Sequence, residues 1–169
     1  VNIAGIAKGS GMIHPNMATM LGFIVSDAAI DPKLLQAATK EAVDKSFNMI
    51  TVDGDTSTND MVAVMCNGLA ENKMITSKKD PGYKIFKEHL TAIMIHLAKL
   101  IVSDGEGSSK FVEYRVVNAP DEDIARKLIR GISDSTLVKA AVYGRDPNWG
   151  RIICAAGNVG VEFDYTKVD

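Results

Sequence analysis

Three aspartate–proline pairs set the framework of this 169-residue chain: Asp31-Pro32, Asp80-Pro81 and Asp146-Pro147. An aspartate at the N-cap accepts hydrogen bonds from the free N–H groups of a helix's first turn, and a proline at the next position loses no hydrogen bond by lacking an N–H. Each pair therefore predicts the start of a helix.

The apolar residues that follow the first two pairs recur at spacings of three and four, as on one face of a helix. After Asp80 they predict a helix that ends near Asp104-Gly105, and after Asp31 a shorter one. Two more helices are predicted, one opened by Pro120 and one over 146–157. Ser57 or Thr58 is predicted to cap a helix that ends at Asn67-Gly68. The apolar faces of the two clearest helices are Leu34, Leu35, Ala38, Ala42, Val43 and Phe47, and Phe86, Leu90, Ile93, Met94, Leu97 and Ile101.

Strand-like runs lie between these helices. The apolar run Leu21–Val25 is typical of a buried strand, and residues 112–116 alternate between apolar and charged, as in a half-exposed strand. Residues 49–52 and 160–165 are further runs of this kind. Strands that alternate with helices, without repeats, predict one layered α/β domain.

The composition excludes several function classes. A net charge of -2 gives no electrostatic basis for binding nucleic acid or an anionic membrane, so neither is predicted as a partner. The longest apolar stretch, Leu90–Val102, is too short and too polar to span a bilayer. Cys66 and Cys154 lie in apolar patterns that suggest helices, which predicts buried free thiols and a reducing, cytoplasmic setting.

Lys8 is the only formally charged residue among the first 26. Together with Gly9, Ser10 and Gly11 it suggests a place where the backbone approaches a small anionic group. From composition alone, a surface lysine in a turn is the simpler interpretation. The spacing of a phosphate-binding P-loop is missing.

The polar segment 53–60 resembles a calcium loop in composition only. Such a loop needs glycine at its sixth position, where Thr58 stands, and a bidentate glutamate at its twelfth, where Val64 stands. No metal is therefore predicted. We expect Asp53-Gly54-Asp55 to form a turn and the segment to cap the following helix, next to an active site.

Two further segments are candidates for a site. The run Asp104-Gly105-Glu106-Gly107 is either a carboxylate placed in a cleft or a solvated helix end. Residues 143–151 combine polar, aromatic and glycine residues around a predicted helix start, where an anion could bind. A structural corner with Arg145 or Arg151 in an ion pair fits that segment equally well.

Considered together, these segments resemble one family. Residues 7–13 (AKGSGMI), 15–21 (PNMATML), 46–48 (SFN), 52–60 (VDGDTSTND), 104–107 (DGEG) and 144–151 (GRDPNWGR) are similar, in the same order, to the ornithine acetyltransferase family, also called glutamate N-acetyltransferase, of arginine biosynthesis. The resemblance spans almost the whole chain and is specific, because the matching segments are long and collinear.

The resemblance implies that a precursor cleaves itself between Ala18 and Thr19. Residues 1–18 are then the C-terminal tail of the first (α) fragment, and 19–169 the N-terminal part of the second (β) fragment. The implied fold is an α/β, layered αββα sandwich resembling N-terminal nucleophile hydrolases, here as a fragment. The two fragments are expected to stay together in an α2β2 heterotetramer.

The implied reaction is acetyl transfer from N-acetylornithine to glutamate. Thr19 is the catalytic nucleophile that carries the acetyl group, and its freed α-amine is suited to act as the base. Lys8 and Glu106 are implied to contact the substrate. No metal and no cofactor are expected, and acetyl-CoA stays open as a second donor. The chain starts at Val1 without an initiator methionine, and the family's oxyanion hole and further substrate residues fall outside it, so we expect an incomplete site.

Two alternatives remain at this point. One is an amidohydrolase or aminopeptidase of the same fold that also uses a threonine nucleophile. The other is a non-catalytic binding module that kept the fold and lost the site, although Lys8, Thr19 and Glu106 are all present.

Overall fold

The computed structural model describes residues 1–14 and 20–168. These residues form two compact units, Val1–Ser108 and a second one that begins at Ser109. Each unit is described by itself below. In the described part of the chain, no helix has the length and apolar character that crossing a membrane requires.

The first unit contains a three-stranded sheet in the order β1-β2-β3. The strands are β1 (Ile3–Lys8), β2 (Leu21–Ser26) and β3 (Met61–Cys66). β1 runs antiparallel to β2, with Lys8 opposite Leu21, and β3 runs parallel to β2, with Met61 beside Leu21. The predicted strand at 21–25 is therefore confirmed as the central strand.

Two helices follow the first two aspartate–proline pairs, as predicted. Helix α1 spans Pro32–Asp44 and helix α2 spans Pro81–Ser103. The Asp31 carboxylate accepts from the N–H groups of Lys33 and Leu34, and the Asp80 carboxylate accepts from Gly82. The two caps satisfy N–H groups that the first turn leaves without helical partners.

These helices and one face of the sheet enclose the core of the first unit. Ile24, Phe47, Leu90 and Met94 are fully buried there, and each such side chain stabilises the fold by about 1.5–3 kcal/mol. The opposite face of the sheet, formed by the alternate residues, is mostly apolar and is open to solvent. Its members Ile6, Val25 and Met65 are 70%, 48% and 53% exposed.

The predicted helix ending at Asn67-Gly68 is wrong, because β3 occupies this region. Its backbone groups pair with β2 over Leu21–Ser26, and Val62 and Val64 pack against the core. The predicted strand at 49–52 is also wrong. A short 3-10 turn, Phe47–Met49, stands there, and the Val52 N–H donates to the Ile13 carbonyl. β1 was not predicted, because its glycine and alanines gave little strand signal.

The second unit is helical. It contains α3 (Glu122–Asp134), α4 (Thr136–Tyr143), α5 (Trp149–Gly157) and a 3-10 turn, Tyr165–Lys167. Its core is small and consists of Ile132, Val138, Ala155 and Ala156.

Several predictions for this unit need correction. The predicted strands at 112–116 and 160–165 are irregular segments. The helix predicted to open at Pro120 starts at Glu122, with Asp121 as its cap, and α4 was not predicted. The helix predicted from Asp146 starts at Trp149, because the Asp146 N–H donates to the Ala141 carbonyl at the end of α4.

The cysteines are both free, as predicted, but neither is buried as expected. Cys66 is half-buried in β3, and Cys154 is exposed on α5. The apolar pattern around Cys66 belongs to a strand. The thiol of Cys154 lies off the buried side of its helix, which Ala155 and Ala156 form.

Candidate active site

Lys8 is the last residue of β1, directly before the segment Gly9-Ser10-Gly11. Its side chain is exposed, on the sheet face opposite the helices, in register with Leu21 and Met61. An open groove of about 560 Å³ begins here. It is lined by Ala7, Lys8, Gly9, Ser10, Gly11, Leu97, Leu100, Ile101 and Asp104.

Glu106 is attached to the same segment. Its backbone N–H donates a 2.9 Å hydrogen bond to the carbonyl of Ser10, and its carboxylate lies where Gly11 has no Cβ. The preceding residue, Gly105, packs closely on Val52, because a Cβ there would meet both methyl groups of Val52 at 3.1 Å. The structure therefore brings the segments of Lys8 and Glu106, two of the predicted site residues, to one place.

Residues 51–60, here called the clamp loop, contact the chain at residues 12–14 and again at Met20. On the N-terminal side, the Asp53 carboxylate accepts from the N–H groups of Met12 at 2.6 Å and Ile13 at 3.2 Å. Met12 has a φ of 54°, a left-handed conformation that costs a non-glycine residue about 1–2 kcal/mol. The carboxylate stabilises this bend by holding the two amides beside it.

His14 extends these contacts. Its Nδ1 atom lies 3.0 Å from Oγ1 of Thr51, and its carbonyl accepts from Oγ1 of Thr56 at 3.2 Å. The predicted turn is confirmed within the loop: Gly54 has a φ of 83°, and the Asp55 N–H donates to Asp53 at 3.0 Å. The clamp loop caps no helix, which corrects that part of the prediction, because β3 follows it.

On the C-terminal side, the clamp loop binds Met20. The Met20 N–H donates to Oδ1 of Asp60, and the Met61 N–H donates to the Met20 carbonyl at 2.9 Å. Met20 is 1% exposed, which anchors the chain in the core directly before β2. Burial raises the pKa of the Asp60 carboxyl, and the hydrogen bond from Met20 opposes that shift.

Ala18 and Thr19, the predicted cleavage site and nucleophile, lie outside the described residues. The structure describes the chain as far as His14 and again from Met20. Both described ends, His14 and Met20, are bound by the clamp loop.

The described residues contain no group of histidine, cysteine or carboxylate side chains arranged to hold a metal ion. The aspartates of the clamp loop accept backbone hydrogen bonds instead, Asp53 from Met12 and Ile13, and Asp60 from Met20. These carboxylates therefore have a structural role, since they fix backbone amides.

The candidate segment 143–151 forms a structural corner between α4 and α5. Nη1 of Arg151 donates to the Leu137 carbonyl at 2.9 Å, and the Asn148 side chain accepts from the Arg151 N–H. Arg145 has a φ of 57° at the turn. The interpretation of this segment as a structural corner fits the contacts of Arg151. A hydrogen bond to a backbone carbonyl is found where an ion pair was expected.

A sequence model of the ArgJ family matches residues 1–169, the whole chain. The chain belongs to the ArgJ family. The arginine biosynthesis bifunctional protein ArgJ of Symbiobacterium thermophilum is 56% identical over 172 residues, and that of Staphylococcus epidermidis is 54% identical over 169. Both alignments cover 100% of this chain and 42% of the relative, so the chain spans less than half the length of these curated relatives.

A solved member of the ArgJ family has the same fold. The crystal structure of the arginine biosynthesis bifunctional protein ArgJ from Bacillus halodurans superposes with a TM-score of 0.82 at 48% identity, covering 86% of this chain and 68% of that one. The α/β fold of the N-terminal nucleophile hydrolase type, predicted from the sequence, is thereby confirmed. The described residues supply one sheet and the helical layer on one of its faces.

A hydrogen-bonded turn in the clamp loop was predictable from the sequence, but its binding partners were not. The clustering of carboxylates and hydroxyls in 53–60 signalled a hydrogen-bonded segment. Nothing in that spacing identified the partners as the amides of Met12, Ile13 and Met20, which lie about 40 positions away in the chain. The signal that could have found them is the family motif that contains both segments.

Proposed function

We propose that the full-length protein containing these residues is a self-cleaving acetyltransferase that moves an acetyl group from N-acetylornithine to glutamate in arginine biosynthesis. Relatives that match the whole chain at 54–56% identity are named arginine biosynthesis bifunctional proteins. The structural observation that carries the proposal is the clamp loop, which binds Met12, Ile13 and Met20 on the two sides of the predicted cleavage segment.

The proposed cleavage occurs between Ala18 and Thr19. The Thr19 hydroxyl oxygen attacks the Ala18 carbonyl carbon, the peptide C–N bond breaks, and the departing nitrogen receives the hydroxyl proton. The resulting ester is hydrolysed by water to an Ala18 carboxylate and a free Thr19 hydroxyl. Residues 1–18 then end the first fragment, and residues from 19 onward begin the second.

The proposed transfer uses the same hydroxyl. Assisted by the neutral α-amine of Thr19, the hydroxyl oxygen takes the acetyl group of N-acetylornithine, and ornithine leaves with the proton. The glutamate amine then attacks the acetyl ester, which restores the hydroxyl. Lys8 pairs with a substrate carboxylate, and Glu106 pairs with an ammonium group, because their charges are opposite.

Several finer points belong to the proposal. The two fragments form an α2β2 heterotetramer in the cytoplasm. The scheme needs no metal or cofactor. Acetyl-CoA is a second acetyl donor, in line with the word bifunctional in the names of the relatives.

The first test is the mass and N-terminal sequence of the full-length protein. We expect two fragments, the second beginning at Thr19, and a single uncut chain from Thr19→Ala. A second fragment that starts elsewhere, or cleavage of Thr19→Ala, contradicts the proposed processing.

The second test separates transfer from hydrolysis. After incubation with N-acetylornithine alone, the Thr19 fragment should gain the mass of one acetyl group, and addition of glutamate should remove it. A threonine-nucleophile amidohydrolase would release acetate or an amino acid to water whether or not glutamate is present.

A further inference from the structure

The corner between α4 and α5 carries two large aromatic side chains that are open to solvent in the second unit. Tyr143, the last residue of α4, is 73% exposed, and Trp149, the first residue of α5, is 75% exposed. The contact that fixes the corner is a different one, the bond from Arg151 to the Leu137 carbonyl. Tryptophan, tyrosine and arginine are the residues that contribute most to binding surfaces.

Arg145 lies between the two aromatic residues in the chain and is exposed as well. Its backbone N–H donates to the Val142 carbonyl at 3.2 Å, whereas its guanidinium has no hydrogen bond or ion pair within the described residues. Its φ of 57° is a left-handed conformation that glycine adopts without steric cost and arginine does not. Backbone strain of this kind is concentrated at binding and catalytic sites.

Positive charge exceeds negative charge at the corner. Nζ of Lys110 lies 5.5 Å from the centre of the Tyr143 ring and donates to the Tyr143 carbonyl at 3.2 Å. Arg145 and Arg151 add two more cations, and the one carboxylate of the segment, Asp146, accepts a hydrogen bond from within the corner. The corner therefore combines exposed aromatic rings with an excess of cationic groups.

These two properties fit a ligand that has both an aromatic base and phosphate groups. A base stacks on an exposed aromatic ring, and guanidinium groups bind phosphate oxygens through charge-assisted hydrogen bonds. Acetyl-CoA, the second acetyl donor of the proposed function, has such a part in the adenine nucleotide at the end opposite its thioester. N-acetylornithine and glutamate have neither a base nor a phosphate.

We propose that this corner binds the adenine nucleotide of acetyl-CoA, with Trp149 stacked on the base and Arg145 bound to phosphate oxygens. The assignment rests on the proposed function, of which it concerns the second donor alone. It makes Trp149 and Arg145 specificity-determining residues for acetyl-CoA, without a part in the use of N-acetylornithine.

The experiment compares the two acetyl donors on the processed full-length enzyme. KM and kcat are measured with acetyl-CoA and with N-acetylornithine, each with glutamate as the acceptor. The variants are Trp149→Ala, Trp149→Phe and Arg145→Gly, and the controls are Tyr165→Ala and Arg115→Gly. Each control removes an exposed aromatic or cationic side chain elsewhere in the second unit.

We expect KM for acetyl-CoA to rise at least tenfold in Trp149→Ala and at least fivefold in Arg145→Gly. In Trp149→Phe it should rise less than threefold, because the phenyl ring still stacks on the base. The value of kcat/KM for N-acetylornithine should stay within twofold in every variant, and the controls should change neither reaction.

The adenosine bisphosphate part of CoA, added by itself, separates the donor from a free nucleotide. It should inhibit the reaction of acetyl-CoA competitively and leave transfer from N-acetylornithine unchanged. Equal inhibition with both donors would indicate that the corner binds a free regulatory nucleotide, and it overturns the assignment.

Thermal unfolding separates binding from folding. Glycine suits the backbone of position 145, so Arg145→Gly should have the same Tm as the unaltered enzyme or a higher one. A lower Tm of Arg145→Gly, equal losses with both donors, or an unchanged KM for acetyl-CoA in Trp149→Ala overturns the assignment.

The unaltered enzyme distinguishes failure of the assignment from failure of the proposed function. Use of N-acetylornithine without any use of acetyl-CoA overturns the assignment and leaves transfer from N-acetylornithine in place. Use of neither donor contradicts the proposed function itself, and the assignment with it.

Discussion

The backbone N–H of Glu106 donates a 2.9 Å hydrogen bond to the carbonyl of Ser10, two residues after Lys8. The bond joins the C-terminal end of α2 to the end of β1 and sets the Glu106 side chain against Gly11. The bond thereby brings together the segments that carry Lys8 and Glu106, which are oppositely charged and far apart in the sequence.

Substitution of Glu106 by glutamine should weaken substrate use without changing the fold. The backbone bond to Ser10 does not depend on the side-chain charge, whereas recognition of an ammonium group does. We expect kcat/KM for N-acetylornithine to fall at least tenfold, about 1.4 kcal/mol of transition-state binding. Glu88→Gln, on the outer surface of α2, is the control. Equal kinetics for the two variants would remove Glu106 from the site.

Substitution of Lys8 by methionine should lower kcat/KM by tenfold or more, because a carboxylate of the substrate loses its charge partner. The exposed position of Lys8 at the end of β1 implies that folding tolerates the change. Lys33→Met, which removes an exposed lysine of α1, is the matched control. Steady-state kinetics of the processed full-length enzyme give the answer, and unchanged values would make Lys8 a solvated surface residue.

Activity should rise with pH through one ionisation, because in the proposed reaction the Thr19 α-amine is a base, and an amine acts as a base only when it is neutral. The α-amino groups of model peptides have a pKa of about 7.7–8.0. A carboxylate close to the amine would raise this value by stabilising the ammonium form. The profile of kcat/KM between pH 6 and 9 tests this. A flat profile would mean that another group takes the proton.

The ion pair between α1 and α2 should make stability depend on pH. Nζ of Lys87 lies 2.6 Å from Oε2 of Glu41, and its hydrogen bond is the main cause that lowers the pKa of Glu41. A carboxyl with a lowered pKa contributes stability above its unfolded pKa, about 4.3, and this is lost as the pH falls through the folded value.

We therefore expect Glu41→Gln to reduce the free energy of unfolding at pH 7 by less than about 1 kcal/mol, since the pair is partly exposed. The difference from the unaltered protein should be smaller at pH 3, because protonation of Glu41 removes the charge that pairs with Lys87. Urea unfolding at the two pH values measures it. A difference that persists at pH 3 would show that the glutamate acts through packing.

The two thiols should react at different rates with an alkylating reagent. Cys154 is exposed, whereas Cys66 is half-buried in β3, where burial raises the pKa of its thiol and lowers the fraction of reactive thiolate. We expect Cys154 to be modified by iodoacetamide at pH 8 at least tenfold faster, as followed by peptide mass spectrometry. Faster modification of Cys66 would mean that β3 opens readily.

Helix starts could be predicted from the sequence wherever the signal is local. Asp31-Pro32 and Asp80-Pro81 each cap a helix, because the cap and its first turn are neighbours in the chain. The same pair at Asp146-Pro147 misled, since the Asp146 N–H is taken by Ala141 and the cap moves to Asn148. β3 could not be predicted as a strand, because its pairing with β2 outweighs local preference.

The site was predictable only as far as residue types go. Lys8 and Glu106 could be selected through the family resemblance. The contact that brings their segments together is a backbone hydrogen bond between Ser10 and Glu106, which cannot be predicted from the types of the side chains. The partners of Asp53 and Asp60 are likewise backbone amides. Amides look alike at every position, so only the fold could identify them.

The sheet of the first unit has helices on one face, while Ile6, Val25 and Met65 on the other face are open to water. An exposed apolar patch of this kind favours association between molecules, and unpaired strand edges can pair with those of another copy. Purified residues 1–169 should consequently bind hydrophobic dyes and form soluble clusters as the concentration rises. Loss of dye binding and of clustering in the full-length protein would show that the open face is covered there.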